Sequence, residues 1–335
     1  MSAPEIHSDV QNTTCSSIET SDQNVSIKKK TPKGVFRSLF KYYELYFLFL
    51  PVAIWLIVFK YIPMLGIVLA FKKFNPFIGI LGSPWIGLEN FIKCFNSPAF
   101  MSSLGNTVII SLSMLVVGFP IPIIFALLLN EIRRNGFKRF VQTVSYLPHF
   151  ISWSVAGGMI YMLLSPDTGV INVLFKSLGL SGINLLGDTS YFRGVVVGSD
   201  VWKNMGWGAI IYLAALAGVD EELYEAAYMD GAGRFKMIWY ITIPSIGNTI
   251  IVMLILRIGS LFNVSFEQIF ILVNPMVLEV GETLSYYIYR VGFTDPTNFG
   301  FGTAVGLFES LVCLVLVVVT NKISKKIGDG EGGIW

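Results

Sequence analysis

The sequence predicts an all-α integral membrane protein with six membrane-spanning helices and a short helix–turn–helix between spans four and five. Of its 335 residues, 53% are hydrophobic and only 14% are charged, whereas soluble domains carry about 25% charged residues. The apolar residues form six runs near the length of roughly 20 residues that crosses a bilayer as a helix. Connections containing proline, glycine and charged residues separate the runs, as expected of turns and loops.

The six predicted spans divide the chain into a membrane domain and two tails. The spans cover residues 45–71, 103–129, 141–164, 194–218, 245–272 and 301–321. Pro120 and Pro122 fall inside the second span and are expected to kink it. Residues 1–40 are polar and then basic, which predicts a disordered cytoplasmic tail. The membrane domain is predicted at 41–327, with a connecting loop at 219–244, and a short tail follows at 328–335.

The positions of the lysines and arginines predict the orientation of the spans. Fifteen of the 24 fall before span one, in the connection after span two, in the loop 219–244 and after span six. Six fall in the three opposite connections and three within spans. Because positive residues concentrate on the cytoplasmic side, both termini and the loop 219–244 are predicted to be cytoplasmic.

The few cysteines and histidines argue against a disulfide framework or a metal centre. Cys15, Cys94 and Cys313 fall in the tail, a loop and a span, with no metal-binding spacing between them. His7 and His149 are far apart in the chain. We therefore expect no metal bound by this chain, and we interpret His149 as a structural hydrogen-bonding residue beside Pro148 rather than a proton relay.

The loop between spans four and five has the pattern of two short helices. Residues 221–230 are rich in Glu, Ala and Leu, and Asp220 can cap that helix. Gly231 and Gly233 are expected to break it, because glycine accepts the left-handed conformation that ends helices. A second helix over residues 234–243 leads to Pro244, which suits the start of the next span.

This loop contains, at fixed spacings, the residues Glu225, Ala226, Ala227, Asp230, Gly231, Ala232, Ile241, Ile243 and Pro244. They closely resemble the signature loop of membrane subunits of binding-protein-dependent ABC importers. The family pattern is E-A-A, three residues, Gly, nine residues, Ile, one residue, Leu-Pro. Ile243 replaces the family's leucine, which is a volume-conserving change. The alternative for this stretch is an ordinary amphipathic connector, with the alanines present for helix propensity and Glu225 merely solvated.

Further phrases resemble the carbohydrate-uptake branch of these permeases, including polysaccharide-fragment permeases and the alginate-importer membrane subunit. The resemblance covers residues 41–327. The phrases are Leu128-Leu129-Asn130-Glu131, Tyr146-Leu147-Pro148-His149-Phe150, Trp202-Lys203, Ile211-Tyr212-Leu213-Ala214-Ala215 and Tyr289-Arg290-Val291-Gly292.

The resemblance implies a non-enzymatic permease in a bacterial cytoplasmic membrane, forming half of a pathway for an oligosaccharide. The implied partners are a second, unlike permease subunit, two ATPase subunits, an extracytoplasmic solute-binding protein and membrane lipid, with no nucleic acid. No G-x-x-x-x-G-K-[ST] phosphate loop occurs in the sequence. ATP and magnesium are therefore expected on the ATPase, and the motif residues are expected to couple that ATPase to transport.

Polar residues within the spans are the candidates for the substrate pathway, because ionisable groups at membrane depth usually face a bundle interior or a water-filled cavity. They are Asp200, Trp202, Lys203, Asn204 and Trp207 in span four, Arg257 and Asn263 in span five, and Glu309 in span six. Asp200 and Lys203 are three residues apart and are expected to share a helix face and to pair. The alternative is that these residues only make structural contacts between helices.

Other functions remain open at this point. The chain has the features expected of an ABC permease, but the solute could differ from an oligosaccharide. An ion-coupled secondary transporter would show inverted repeats with interrupted helices, and no convincing repeat is found. A membrane-embedded enzyme would need a catalytic group, and neither H-E-x-x-H nor G-x-S-x-G occurs.

Overall fold

The computed structural model describes residues 43–166, 168–179, 181–262 and 264–327. All regular secondary structure in this part of the chain is helical, apart from one isolated bridge between Lys72 and Trp85. This confirms the all-α prediction. The predicted tails 1–40 and 328–335 and the candidate residue Asn263 lie outside the described residues.

Sixteen labelled helices account for most of the described chain. In the first half they are α1 (Tyr43–Leu56), α2 (Gly79–Gly82), α3 (Glu89–Asn96), α4 (Pro98–Ser113), α5 (Pro120–Asn130), α6 (Asn135–Phe150), α7 (Trp153–Leu164) and α8 (Val170–Ser177). In the second half they are α9 (Thr189–Leu216), α10 (Glu221–Met229), α11 (Arg234–Met237), α12 (Gly247–Gly259), α13 (Phe266–Leu272), α14 (Leu278–Gly281), α15 (Leu284–Thr294) and α16 (Phe299–Ile327).

Tighter or wider helical turns extend several of these helices. Wider π-type turns follow α1, α4 and α11, at Ile57–Tyr61, Met114–Gly118 and Ile238–Thr242. Tighter 3-10 turns occupy Leu65–Phe71 and Pro296–Asn298. Single α-turns lie at Ile62–Met64 and Ile243–Ser245. Pro120 is the first residue of α5, directly after the irregular turn Met114–Gly118, which places the expected disturbance of span two at its prolines.

Three helical segments are long and apolar enough to cross a membrane: Tyr46–Phe71, Pro98–Asn130 and Pro296–Lys322. Two bent pairs pass the same test when each pair is taken together. The pair α6 and α7 bends by 106°, and the segment Arg234–Ser245 meets α12 at 63°. Helix α9 has 28 residues and is about 42 Å long at 1.5 Å per residue, but three charged residues lower its apolarity. The chain is therefore an integral membrane protein, while the count of six spans stays a prediction.

The described residues up to Ile62 form one compact unit and those from Pro63 a second. In the first unit, α1 exposes most of its apolar side chains, with Phe47 78% and Leu48 76% exposed. Exposing so much apolar surface to water is unfavourable, whereas the hydrocarbon of a bilayer accepts it.

In the second unit, α9 is the central helix and packs against α5 and α6. Small residues let the helix backbones approach closely, as is common between membrane helices. A Cβ atom built on Gly206 would lie 2.2 Å from the backbone oxygen of Ser145 in α6. A Cβ atom on Gly208 would lie 3.2 Å from the ring of Pro122 in α5. The spacing of α9 from α6 therefore depends on the absence of a side chain at Gly206.

Helix α16 organises a second packed region. It lies against the 3-10 turn Leu65–Phe71 and against α3, α12 and α15. Phe308 of α16 meets Phe95 and Phe100 edge-on, with ring centroids 5.4 and 5.8 Å apart. Such edge-to-face pairs add about 1 kcal/mol each beyond the burial of their surface.

Polar side chains fix the connection between α13 and α16. The Asn106 amide donates to the backbone oxygens of Glu279 and Glu282 at 2.8 and 3.1 Å. The Asn106 oxygen accepts from the Arg193 guanidinium at 2.8 Å. Arg290 also donates to both carboxylate oxygens of Glu282, at 2.6 and 3.2 Å. These bonds hold α14 and the start of α15 in place.

Adding one methyl group at Gly206 should destabilise the fold. We expect Gly206→Ala to lower the unfolding midpoint in detergent by several degrees, because the methyl would overlap the α6 backbone and overpacking costs about 1–3 kcal/mol. The matched control is Gly198→Ala in the same helix, where no atom lies within 4 Å of the new methyl. Equal midpoints for the two variants in a thermal-unfolding assay would show that the α6–α9 contact is not close.

Candidate functional site

The loop that carries the motif begins with a capped helix. The Asp220 carboxylate accepts a hydrogen bond from the Glu222 backbone nitrogen at 3.0 Å, which satisfies one free donor at the start of α10. Glu221 and Glu222 occupy the first turn, where the helix dipole favours negative charge. The predicted cap is thus present, and α10 ends at Met229, close to the predicted boundary.

The end of α10 is a Schellman turn built on Gly231. The Ala232 nitrogen donates to the Ala227 oxygen at 2.9 Å, and the Gly231 nitrogen donates to the Tyr228 oxygen at 3.0 Å. Gly231 has φ +74°, a conformation that other residues adopt only with strain. Gly233 was also expected to need this freedom, but its φ is −75°, so Gly231 alone makes the left-handed turn here.

A side-chain bond joins the two halves of the loop. The Tyr224 hydroxyl lies 3.0 Å from the Thr242 hydroxyl, and Thr242 is buried. Arg234 also approaches Glu131, in the connection between α5 and α6, at 3.9 Å, although an exposed pair of this length contributes little. The bond between α10 and the π-turn residue Thr242 makes the loop one unit rather than two independent helices.

The motif residues differ in their exposure. Glu225, Ala226, Asp230, Gly231 and Pro244 are exposed, whereas Ala227, Ala232 and Ile241 are half-buried. On the same loop, Tyr228 is 74% exposed and Met229 is 85% exposed. The loop therefore presents a charged and apolar outer surface, while its half-buried motif residues maintain its shape.

Within the helices, four polar residues form a continuous polar chain: His149, Asn204, Asp200 and Arg257. The His149 Nδ1 atom lies 3.0 Å from the Asn204 Oδ1 atom, and the Asn204 amide donates to the Asp200 carboxylate at 2.8 Å. Arg257 of α12 approaches that carboxylate at 3.7 Å. The His149 ring also stacks on Trp207, with centroids 4.7 Å apart and planes 1° apart. The polar chain thus links α6, α9 and α12.

Lys203 makes a different set of contacts from the predicted pair with Asp200. Its ammonium donates to the backbone oxygens of Pro148 at 3.1 Å and of His149 at 2.9 Å, and also to that of Ile151. These three acceptors use all three hydrogens of the ammonium group. The expected Asp200–Lys203 ion pair was wrong, because α6 ends beside Lys203 and the backbone oxygens at that end accept from the ammonium group.

The polar chain borders a cavity of about 280 Å³ between α5, α9 and α12. Asp200, Asn204 and Arg257 line it, together with apolar side chains such as Met205 and Met253. The carboxylate, the amide and the guanidinium face a common space, so the cavity offers both hydrogen-bond donors and acceptors to a polar molecule. This is the arrangement expected of a polar pathway rather than of a sealed apolar core.

The remaining candidates do not all meet at this cavity. Trp202 lines a separate, largely apolar cavity of about 290 Å³ between α7 and α9. Trp207 is joined to the polar chain by its stack on His149. Glu309 is half-buried in α16 and does not line the polar cavity, and it makes no hydrogen bond or ion pair with another described residue.

A cluster of aromatic rings was missed by the sequence reasoning. Phe266 and Phe270 of α13 contact Tyr286 and Tyr289 of α15, with ring centroids 5.1 to 6.4 Å apart. Phe266 and Phe270 are four residues apart, and Tyr286 and Tyr289 are three apart. These spacings place the two phenylalanines on one face of α13 and the two tyrosines on one face of α15. What the sequence did not indicate is that these two faces meet.

In the described part of the chain, no group of three or more potential metal ligands comes together.

Comparison with known proteins gives one family and several close relatives. Residues 118–329 match the model of the family described as binding-protein-dependent transport system inner membrane component. The polygalacturonan/rhamnogalacturonan transport system permease protein YteP of Bacillus subtilis is 44% identical over 311 residues, covering 93% of this chain and 96% of the relative. Protein LplB of the same organism is 45% identical over 288 residues, covering 86% and 90%.

Solved structures give the same result. A chain of a bacterial ABC transporter that imports the acidic polysaccharide alginate matches with TM-score 0.81 and 38% identity, over 88% of this chain and 99% of that one. A second structure of an alginate transporter, in complex with its pentasaccharide-bound periplasmic protein, matches with TM-score 0.82. The chain therefore belongs to the binding-protein-dependent transport system inner membrane components, a family of transport permeases rather than enzymes.

Proposed function

We propose that this chain is one of two unlike permease subunits of an ATP-driven importer that takes up an oligosaccharide or polysaccharide fragment. The loop 219–244, called the E-A-A loop from here on, carries this proposal. It is held as a rigid helix–turn–helix, in a chain whose relatives are named as saccharide permeases. A solute-binding protein outside the cell would deliver the sugar. Two ATPase subunits would bind ATP and magnesium and drive the transport step.

The proposed coupling surface is the exposed part of the E-A-A loop. Glu225 supplies the one charge of the E-A-A triplet, and the small neighbours Ala226 and Gly231 let a partner backbone approach closely. The exposed residues Asp230 and Pro244 would lie on the same surface, and the half-buried Ala227, Ala232 and Ile241 would keep the loop in shape. A short rigid helix seated in a groove transmits rigid-body movement better than a flexible loop, and the Tyr224–Thr242 bond supports this role.

The proposed pathway includes the cavity beside the polar chain. Asp200, Asn204 and Arg257 offer hydrogen-bonding groups there, and the stacked His149–Trp207 pair adds an aromatic surface of the kind that contacts sugar rings. Lys203 is assigned a structural role in this proposal, because its three donors are already used. The apolar setting of Trp202 and the isolation of Glu309 give them no defined role in this cavity.

The proposed topology is six spans with both termini in the cytoplasm. The distribution of lysine and arginine supports it, as does the length of α9, which is sufficient for span four in spite of its charges. The bent pair α6–α7 would contain span three, and α12 would begin span five directly after the loop 219–244. The E-A-A loop would then face the ATPases.

Reversing the charge of Glu225 should uncouple transport. We expect Glu225→Lys to insert normally but to lower ATP-driven uptake at least tenfold. In the proposed ATPase groove the lysine would face the basic group that pairs with Glu225, and a contact between like charges costs about 2 kcal/mol or more. Uptake and copurification of the ATPases are measured side by side. Glu221→Lys is the control, since Glu221 is also exposed but lies at the start of α10. Full uptake and full ATPase binding by Glu225→Lys would remove the coupling role from this loop.

The polar chain can be tested by single and double substitution. Asp200→Asn and Arg257→Gln should each lower uptake about tenfold while the ATPases remain bound, because each group would contact the passing sugar. If the two side chains serve only to neutralise each other, the double variant should regain transport. We expect the double variant to stay impaired, and recovery to the original rate would assign the pair a purely structural role.

Cysteine labelling tests the orientation. In a background with Cys15→Ser, we expect an impermeant maleimide to label Leu81→Cys in intact cells, and Asn135→Cys only after permeabilisation. Leu81 is 95% exposed and Asn135 is exposed as well. The natural Cys94 should contribute little, because burial raises the pKa of its thiol to about 11. The opposite labelling pattern would invert the topology.

A further inference from the structure

Three lysines line a cavity that shares no residue with the polar chain or with the E-A-A loop. This lysine pocket, defined by Lys72, Lys73 and Lys93, has a volume of about 590 Å³. It lies between the connection after the first predicted span and the turn Pro296–Asn298 before α16. Its volume is within the range of about 300–1,000 Å³ that is typical of small-ligand sites.

Two of the lysines are held in place by the protein. The Lys72 ammonium donates to the backbone oxygens of Ile80 and Leu81 at 2.8 and 3.3 Å. The Lys93 ammonium lies 2.8 Å from the Glu89 carboxylate, and it lowers the pKa of that exposed carboxyl group. Both ammonium groups are therefore held in place, but Glu89 neutralises Lys93, so of these two lysines only Lys72 adds net positive charge to the pocket.

Lys73 is the lysine left for a ligand. Its backbone nitrogen donates to the Pro84 oxygen at 3.0 Å, so its position on the rim is fixed. Its side chain is exposed and has no hydrogen-bond or ion-pair partner among the described residues. The Lys73 ammonium acts on the Glu89 carboxylate from a distance and helps to lower its pKa, but no carboxylate of a described residue contacts it directly, so it can attract an anion.

The rest of the lining suits a sugar. Asn75 and Asn298 bring amide groups, and Phe74 and Phe301 bring aromatic rings. No acidic side chain lines the pocket in the part of the chain that the structure describes. The nearby Asp295 carboxylate already accepts from Thr297 and Asn298. Amides can bond hydroxyl groups and rings can contact sugar faces, while lysine supplies a charge for a carboxylate.

The position of the lysine pocket is a second reason to expect an anionic ligand. Six lysines and arginines lie in connections placed outside the cell by the proposed topology, and three of these six line this one pocket. Substrate reaches the permease from that side. Charge of this kind, gathered at a concave surface, raises the local concentration of an anionic solute.

We propose that the lysine pocket binds the carboxylate of a uronic acid unit in the transported oligosaccharide, as a subsite on the extracytoplasmic side. The inference rests on the proposed function and narrows its substrate to acidic saccharides. It agrees with the names of the relatives, since polygalacturonan is a polymer of a uronic acid and alginate is described as an acidic polysaccharide.

The test uses the complete importer in vesicles with a trimeric uronic acid oligosaccharide and its carboxyl-reduced, neutral counterpart. We expect Lys73→Gln to lower uptake of the acidic trimer about tenfold and to leave uptake of the neutral trimer unchanged, because one charge-assisted hydrogen bond is lost. Lys73→Arg, which keeps the charge, should retain most of the uptake. The matched control is Lys176→Gln, which removes an equally exposed charge from another outer connection.

Equilibrium dialysis of the solubilised importer without its binding protein separates the site from the transport cycle. The acidic trimer should bind the original importer and the Lys176→Gln variant about tenfold more tightly than it binds the Lys73→Gln variant. If the importer takes up neither sugar, the proposed function fails, and the dialysis still decides whether the pocket binds a carboxylate.

Three results would overturn the proposal. Equal loss of uptake for both trimers would place the binding protein, not the sugar, against Lys73. Disappearance of the Lys73→Gln effect in vesicles of phosphatidylcholine alone would indicate an anionic lipid. Unchanged uptake and dialysis for Lys73→Gln would mean that the pocket binds neither trimer.

Discussion

The hydrocarbon of a bilayer offers no hydrogen bonds, so a helix that breaks at membrane depth must have its free backbone groups satisfied by the protein itself. The 106° bend between α6 and α7 lies within span three of the proposed topology, and the protein itself satisfies the backbone groups there. The carbonyl oxygens of Pro148, His149 and Ile151 are exposed by the break, and the Lys203 ammonium takes all three. The Ser152 hydroxyl caps the start of α7 by accepting from the Val155 nitrogen. A buried charge and a broken helix, each costly alone, therefore stabilise each other.

This contact determines the environment of the polar chain. With Lys203 committed to the end of α6, Asp200 is left to bond Asn204 and to face Arg257. The same break sets His149 against Trp207. The close α6–α9 approach at Gly206 brings these groups within reach of one another. The geometry of the proposed pathway thus depends on a backbone requirement before it depends on any interaction with a sugar.

Connections outside the predicted membrane spans hold the other proposed sites. The E-A-A loop is fixed by the Asp220 cap, the Schellman turn at Gly231 and the Tyr224–Thr242 bond. These interactions are local and need little help from the rest of the fold. The lysine pocket, in contrast, draws its residues from two connections more than 200 positions apart in the chain. One proposed site is thus local in sequence, and the other exists only once the chain has folded.

The sequence by itself determined the membrane class, the helical nature, the position of the E-A-A loop and the cap at Asp220, because hydrophobic runs, caps and glycine turns are properties of neighbouring residues. It also indicated which polar residues lie within the spans. It did not predict their partners. Lys203 was expected to pair with Asp200 from helix spacing, yet the carbonyl oxygens of another helix compete for it. The contact of His149 with Asn204, and the presence of Lys73 and Asn298 in one pocket, were decided by tertiary structure. Residues far apart in the chain become neighbours only when helices pack, and spacing along one helix carries no information about what another helix brings.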